Sequence, residues 1–258
     1  MFWFIRLLKL AKYSLALESD TVYLKSTRPK RLLKKIFFYP RFMVGLSGGN
    51  FSHRDYFLKH GIDKSRVFTL PMVVNNQRFE HLKVSCFHPE GVVKFIYIGN
   101  LIPLKRVDKI ISAFIELPFE NCSLMIIGDG PEEEKLKRLA RDDERIVFKG
   151  RVENRKIGQY LSKSHYLVLA SIKEMWGLVI NEALASGTIP LISKNVGCKD
   201  DFSHLLEDWM VFDGEDFFSI VECFIKAVKF DEYTATAEKA QRFMIENWNY
   251  NLYINNLL

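Results

Sequence analysis

The sequence predicts an α/β protein whose main part is a doubly wound parallel sheet, and three observations carry that expectation. From Lys94 onward, short β-branched or aromatic runs alternate with segments of helical period. The clearest of these runs are almost continuously apolar, as strands covered on both faces are. Turn residues punctuate the junctions, so repeated βαβ units around one sheet account for all three. The 258 residues are 48% apolar and 26% charged, within the range of folded globular chains.

In chain order, Tyr13–Leu17 reads as a strand, Arg31–Phe38 as a helix and Phe42–Leu46 as a strand. Ser52–His60 reads as a helix closed by Gly61, a residue suited to a left-handed cap, and Arg66–Leu70 as a strand before Pro71. From Met72 to Gly91 the periodicity decays, and Asn75, Asn76, His88, Pro89 and Gly91 mark a connector. Only two or three αβ units precede it, fewer than an independent domain of this class needs.

Beyond the connector, Lys94–Gly99, Ser123–Gly128, Tyr166–Ala170 and Thr188–Ser193 are the clear strands, with Arg145–Lys149 and Trp209–Phe212 as shorter ones. Helices are expected over Val107–Leu117, Pro131–Arg141, Arg155–Ser162, Gly177–Ser186, Phe217–Lys229 and Tyr233–Glu246. Asp129-Gly130-Pro131 turns the chain and puts Pro near the first helical position, with Glu132, Glu133 and Glu134 at the positive end of that helix. The expected division is a partial α/β segment over 1–74, a linker over 75–91, a sheet domain over 92–246, and a C-terminal piece, 247–258, packing back on the first part.

Cys86, Cys122, Cys198 and Cys223 lie far apart with no C-x-x-C pair, which argues against a zinc site or a disulfide framework and points to a reducing cytoplasm. No apolar run is long enough to span a membrane, and Phe2–Leu10, interrupted by Arg6 and Lys9, does not read as a signal peptide. The net charge of +6 is uneven, because residues 1–45 hold ten Lys or Arg against Glu18 and Asp20. Its densest part, Arg28–Tyr39, has two open readings. One is a solvated basic helix packed by its apolar side; the other is a segment, including Lys34 and Lys35, resting on an anionic membrane surface at the inner face of the plasma membrane. Nucleic acid is not expected as a partner, since no recognition motif accompanies the charge.

The most informative stretch is Ser171-Ile-Lys-Glu174-Met-Trp-Gly177-Leu-Val-Ile-Asn-Glu182-Ala-Leu-Ala-Ser-Gly187, where two carboxylates straddle a strand exit and a helix start. In an open parallel sheet, ligands gather outside the carboxyl ends of the strands. The N–H groups of Met175, Trp176, Gly177 and Leu178, at the positive pole of the following helix, suit a diphosphate without a metal. Read as chance, the pair would be two surface glutamates flanking a buried helix; the strand, turn and small-residue helix in register argue otherwise.

This stretch resembles the E-x7-E signature of glycosyltransferase family 4, and Ile189-Pro-Leu-Ile-Ser and Val196-Gly197-Cys198 fall where that family has them. The Trp176-Gly177 variant looks like members that build bacterial surface polysaccharides. The resemblance implies the GT-B fold: a complete C-terminal Rossmann-like domain here, with a partial N-terminal α/β domain. It also implies retaining transfer of a hexosyl group from a nucleotide-sugar donor to a glycan or lipid-linked acceptor, with no metal and no cofactor. Glu174 would then accept hydrogen bonds from donor-sugar hydroxyls, and Glu182, a two-oxygen acceptor, would receive the ribose diol.

Tyr97-Ile-Gly99-Asn-Leu-Ile-Pro-Leu-Lys105-Arg106 resembles the family segment in which an Arg and a Lys hold the diphosphate. Lys105 sits at the Lys position, but Asn100 replaces the Arg, and losing one preorganised charge-stabilising donor costs roughly 3 kcal/mol in a transition state. Either Arg106 or Arg151 compensates, or activity is weak. Phe148-Lys-Gly150-Arg151-Val152 resembles the loop whose backbone meets the base, and Gly128-Asp-Gly130 the second strand exit; G-x-G does not extend to the dinucleotide fingerprint. The candidate catalytic pair is thus Glu174 and Lys105. The candidate donor-binding set is Gly99, Asn100, Gly150, Arg151, Val152, Met175, Trp176, Gly177, Leu178 and Glu182.

The resemblance runs from about Leu15 to the end and leaves out the family's glycine-rich loop, its reactive-centre histidine and most of its acceptor surface. A truncated wall admits water to the donor. Three expectations follow: an enzyme completed by a separate chain carrying the N-terminal half, a donor-binding remnant without activity, or a piece of a longer reading frame.

Overall fold

The computed structural model of the chain describes residues 15–19, 43–84, 91–141 and 143–257. They fall into two compact units, Met1–Met72 with Tyr250–Leu258, and Val73–Asn249.

In the first unit, β1 (Leu15–Ser19), β2 (Met43–Ser47) and β3 (Val67–Thr69) form a parallel sheet in that order. Between β2 and β3 the chain passes through α1 (Ser52–Lys59), whose Tyr56 and Phe57 meet Ile62 and Val67 in a small core. Gly61 follows at φ +89°, the left-handed geometry expected of it. β1 pairs with β2 from Leu15 opposite Met43 to Ser19 opposite Ser47, two residues beyond the expected end at Leu17, while Tyr13 and Ser14 of the expected strand lie outside the described residues. The helix expected over Arg31–Phe38, and with it the basic segment, lies outside the described residues.

The second unit is built on β4 (Val93–Ile98), β5 (Cys122–Ile127), β6 (Ile146–Gly150), β7 (Tyr166–Leu169), β8 (Ile189–Ser193) and β9 (Val211–Phe212). Its helices are α2 (Val107–Ile115), α3 (Glu133–Ala140), α4 (Ile157–Leu161), α5 (Leu178–Ala185), α6 (Phe217–Val228) and α7 (Tyr233–Asn247). The strand order is β6-β5-β4-β7-β8-β9 and every neighbouring pair is parallel. β7 and β8 are buried at every position, which is why they read as unbroken apolar runs. On one face Phe95 packs against Tyr166 and Phe224, with ring centroids 5.5 and 4.9 Å away. Strands β4 to β6 step outward on one side and β7 to β9 on the other, so the winding reverses between β4 and β7. At such a switch point the loops leaving the two central strands diverge and open a crevice.

Several boundaries differ from the sequence expectation for local reasons. Gly177, at φ +90°, is the N-cap of α5 and not its first residue. α3 begins at Glu133, because the Glu132 amide is drawn to the Leu101 carbonyl at 3.1 Å. α4 shortens to Ile157–Leu161 behind a single 3₁₀ turn over Asn154–Lys156, and β9 shrinks to two residues behind another over Asp208–Met210.

The first part of the expected connector is packed within the second unit. Asn76, buried, donates from Nδ2 to the carbonyls of Met244 at 2.5 Å and Trp248 at 2.9 Å. Phe79, also buried, lies so close to Gly158 that a Cβ there would stand 2.9 Å from its ring. Among the described residues no helix is long and apolar enough to cross a membrane. α8 (Tyr250–Leu257) ends the described chain.

Candidate functional site

The carboxyl ends of β4, β5 and β6 are laced together by backbone hydrogen bonds. The Gly99 amide donates to Ile127 at 3.0 Å, the Gly128 amide to Gly150 at 2.9 Å and the Leu101 amide to Asp129 at 2.7 Å. The approach is too close for side chains: a Cβ on Gly128, at φ +141°, would sit 1.8 Å from the Gly99 carbonyl oxygen. Gly99 and Gly150 therefore lie in one layer of strand exits, with Asn100 exposed beside Gly99. Arg151 follows Gly150 and is largely solvent-exposed, its Nη1 4.0 Å from Asp129 Oδ2; Val152 is half-buried behind it.

Across the switch point the loops after β4 and β7 are joined directly, the Ile172 amide donating to the Leu104 carbonyl at 2.9 Å. This join brings the two candidate catalytic side chains together: the Lys105 ammonium donates to Glu174 Oε2, both groups being less than one-fifth exposed. Ser171, fully buried at the end of β7, donates from Oγ to the same oxygen at 3.3 Å. The backbone of Glu174 is held from the other side, its amide donating to Asn195 at 3.3 Å and its carbonyl accepting from Gly197 at 2.9 Å. Asn195-Val196-Gly197 thus positions the backbone of Glu174. Tyr97, buried at the end of β4, donates to the Asn100 carbonyl at 2.9 Å; burial, and then the charge of Glu174, push its phenol well above the ordinary value.

Met175, Trp176 and Gly177 carry the chain into α5. The positive φ of Gly177 turns the backbone there, and the half-turn leaves Leu178 exposed at the first helical position. The four amides expected to meet a diphosphate come from this segment, at the end of the helix that carries positive partial charge. The indole of Trp176 points the other way. It is buried, donates from Nε1 to Asn181 Oδ1 at 2.8 Å, and stacks on Trp248 with ring centroids 5.9 Å apart and planes at 17°. What Trp176 presents to a ligand is therefore backbone, while its side chain braces the loop from behind.

Glu182 lies further along α5, half-buried, with its carboxyl pushed above the usual range by burial and drawn back by the charge of Arg78. Arg78 was not among the residues the sequence pointed to, nor were Ser171 or Tyr97 as side chains. Position gave some signal for Ser171, which ends a strand, and none for Arg78. Of the two cations considered as substitutes for the missing Arg, Arg106 adopts the left-handed conformation and pairs with Asp108 at 3.4 Å and Glu215 at 3.8 Å. Arg151 makes a loose approach to Asp129.

The profile of the glycosyl transferases group 1 family matches residues 79–242, most of the chain. The chain belongs to this family. N-acetyl-alpha-D-glucosaminyl L-malate synthase of Bacillus anthracis is 35% identical over 106 residues, 40% of this chain and 27% of the relative. Alpha-monoglucosyldiacylglycerol synthase of Acholeplasma laidlawii is 30% identical over 118 residues, 44% of this chain and 29% of the relative. The matches thus span less than a third of the length of these two curated relatives. Among solved structures, Anabaena HepE in complex with UDP superimposes with a TM-score of 0.77 at 13% identity, covering 97% of this chain and 72% of that one. WaaG, a glycosyltransferase involved in lipopolysaccharide biosynthesis, gives 0.67 at 15% identity, over 98% and 79%. The fold is that of GT-B glycosyltransferases, with the Rossmann-like domain formed by the second unit.

Proposed function

We propose that the second unit binds a nucleotide-sugar and that the chain belongs to a retaining hexosyltransferase acting on a glycan or lipid-linked acceptor in surface polysaccharide or glycolipid synthesis. The observation that carries this reading is the meeting of Lys105 and Glu174 at the switch point, beside the N-terminus of α5, the helix that carries Glu182. A cation and a helix terminus answer a diphosphate. A carboxylate held by its backbone answers sugar hydroxyls, and a second carboxylate along the helix answers a ribose diol. The named activities of the relatives, with N-acetylglucosaminyl, glucosyl and lipopolysaccharide chemistry among them, agree with a sugar donor.

A second reading keeps the donor site and drops catalysis by this chain alone, leaving it a binding remnant or one half of a split enzyme. It is favoured by Asn100 standing where the family's Arg would be, with Arg106 engaged by acidic partners. Association with an anionic membrane through the basic segment, as a peripheral protein of the cytoplasmic face, belongs to both readings.

Titration of UDP- and GDP-hexoses into the full chain tests the donor site. Binding that is weakened by Glu182→Ala and by Lys105→Ala supports it; binding unaffected by either change, or none to any nucleotide-sugar, refutes it. Transfer and donor hydrolysis, followed by NMR of the anomeric proton with and without an N-terminal-half chain, separate the two readings and report retention or inversion.

A further inference from the structure

We propose that Arg78 is a positioning residue of this site, pinning the loop after β6 to the connector and directing a permanent positive charge towards Glu182 of α5. The inference rests on the reading of Glu182 as the ribose acceptor.

The backbone that carries Arg78 is immobilised on both sides. It closes the 3₁₀ turn Asn76–Arg78, whose first residue is tied to the carbonyls of Met244 and Trp248. The next residue, Phe79, is buried against Gly158 of α4. From this anchored point the guanidinium reaches the loop after β6, Nη2 donating to the Asn154 carbonyl at 2.7 Å. Asn154 opens the turn that follows Gly150-Arg151-Val152, the segment assigned to the base. Helix α4, on which Phe79 packs, itself lies against α5, and from this position the charge of the same guanidinium reaches Glu182 and opposes the effect of its burial.

Any good donor could hold the Asn154 carbonyl. A cation also offsets, without a direct hydrogen bond, the cost of keeping a carboxylate half-buried and ionised, the form with the full acceptor capacity that a diol needs. Arg suits both tasks because its charge is permanent and its five donors form a fixed fork, so one hydrogen bond to Asn154 does not exhaust it. Base loop and ribose acceptor would thus be set relative to each other by one side chain.

The test is calorimetric titration of the full chain with UDP and GDP, and with their 2′-deoxy counterparts. Arg78→Met is expected to weaken ribonucleotide binding roughly tenfold, the size of coupling that neighbouring charged groups show. Arg78→Lys should recover part of the loss. In a Glu182→Gln background, and for the 2′-deoxy ligands, Arg78→Met should have much less effect. Unchanged affinity in Arg78→Met overturns the proposal, and so does an equal loss with and without Glu182, which would leave Arg78 a loop anchor only. Should Arg78→Met not fold, Arg78→Lys compared with Arg78→Gln makes the same distinction. If Glu182→Gln weakens binding while Arg78→Met does not, Arg78 alone is misassigned; a wild-type chain that binds neither ribonucleotide takes the donor-site reading with it.

Discussion

Lys105 and Glu174 are bound to each other across the reversal of the sheet, one from the loop after β4 and the other from the loop after β7. The cation that should meet a diphosphate and the carboxylate that should meet a sugar thus satisfy one another. A donor carrying both groups can exchange one charged contact for two. A nucleoside diphosphate without the sugar can only take Lys105 away and leave Glu174 to Ser171.

The two side chains should therefore respond in opposite directions to a sugar-free nucleoside diphosphate. Lys105→Ala removes a charge-assisted donor and is expected to weaken binding about 10- to 100-fold, the usual range for hydrogen bonds to charged groups. Glu174→Gln removes the competitor for the ammonium and is expected to tighten it. With the complete nucleotide-sugar both changes should weaken binding. Calorimetric titration of the four combinations checks this, and a Glu174→Gln protein that binds the nucleoside diphosphate less tightly than wild type contradicts it.

How far such a site is legible in a sequence depends on what each residue's role requires. Strands such as β7 and β8 show themselves because burial on both faces forces an unbroken apolar run. Glu174 and Glu182 show themselves because a strand exit and a helix keep them in local register. The orientation of Trp176 does not, since its choice between pocket and core is settled by Trp248, far along the chain. Arg78 is equally hidden, because it lies in a stretch without periodicity and reaches Glu182 only through the closed fold. The start of α3 moved past Pro131 for a similar reason, a backbone bond to Leu101 that local propensity does not contain.

Glu182 gives a prediction about pH. Burial, opposed by Arg78, holds its folded-state pKa above the unfolded one. The folded protein therefore binds this proton more tightly, and the group's contribution to stability is complete below the unfolded pKa and is lost as pH rises through the folded one. Glu182→Gln, neutral throughout, should melt above wild type near neutral pH and close to it below the ordinary carboxylate range. Ribose recognition needs the ionised form, so ribonucleotide affinity of wild type should fall on acidification from a higher pH than an ordinary glutamate would give. Thermal melts and titrations across that range test both statements; a Glu182→Gln protein less stable than wild type near neutrality would refute the assigned direction.

The aromatic stack behind the candidate site joins the segment entering α5 to the end of α7. Trp248 lies against Trp176 and, edge-on, against Phe202 at 5.1 Å, while its carbonyl receives Asn76. Truncating a buried Trp to Ala costs about 3–5 kcal/mol, so Trp248→Ala should lower the stability of the second unit by that order, and Trp248→Phe by less. Trp176 would lose the ring it stacks on while keeping its hydrogen bond to Asn181 and its edge-on contact with Phe202, so the segment Met175–Leu178 would be less well held. The folded fraction of Trp248→Ala, assayed well below its melting temperature, should then bind nucleoside diphosphate more weakly than wild type while Trp248→Phe stays close to it. If Trp248→Ala loses stability but binds as wild type does, the stack is packing alone, and the α5 amides owe their placement to the turn at Gly177 and the backbone clasp on Glu174.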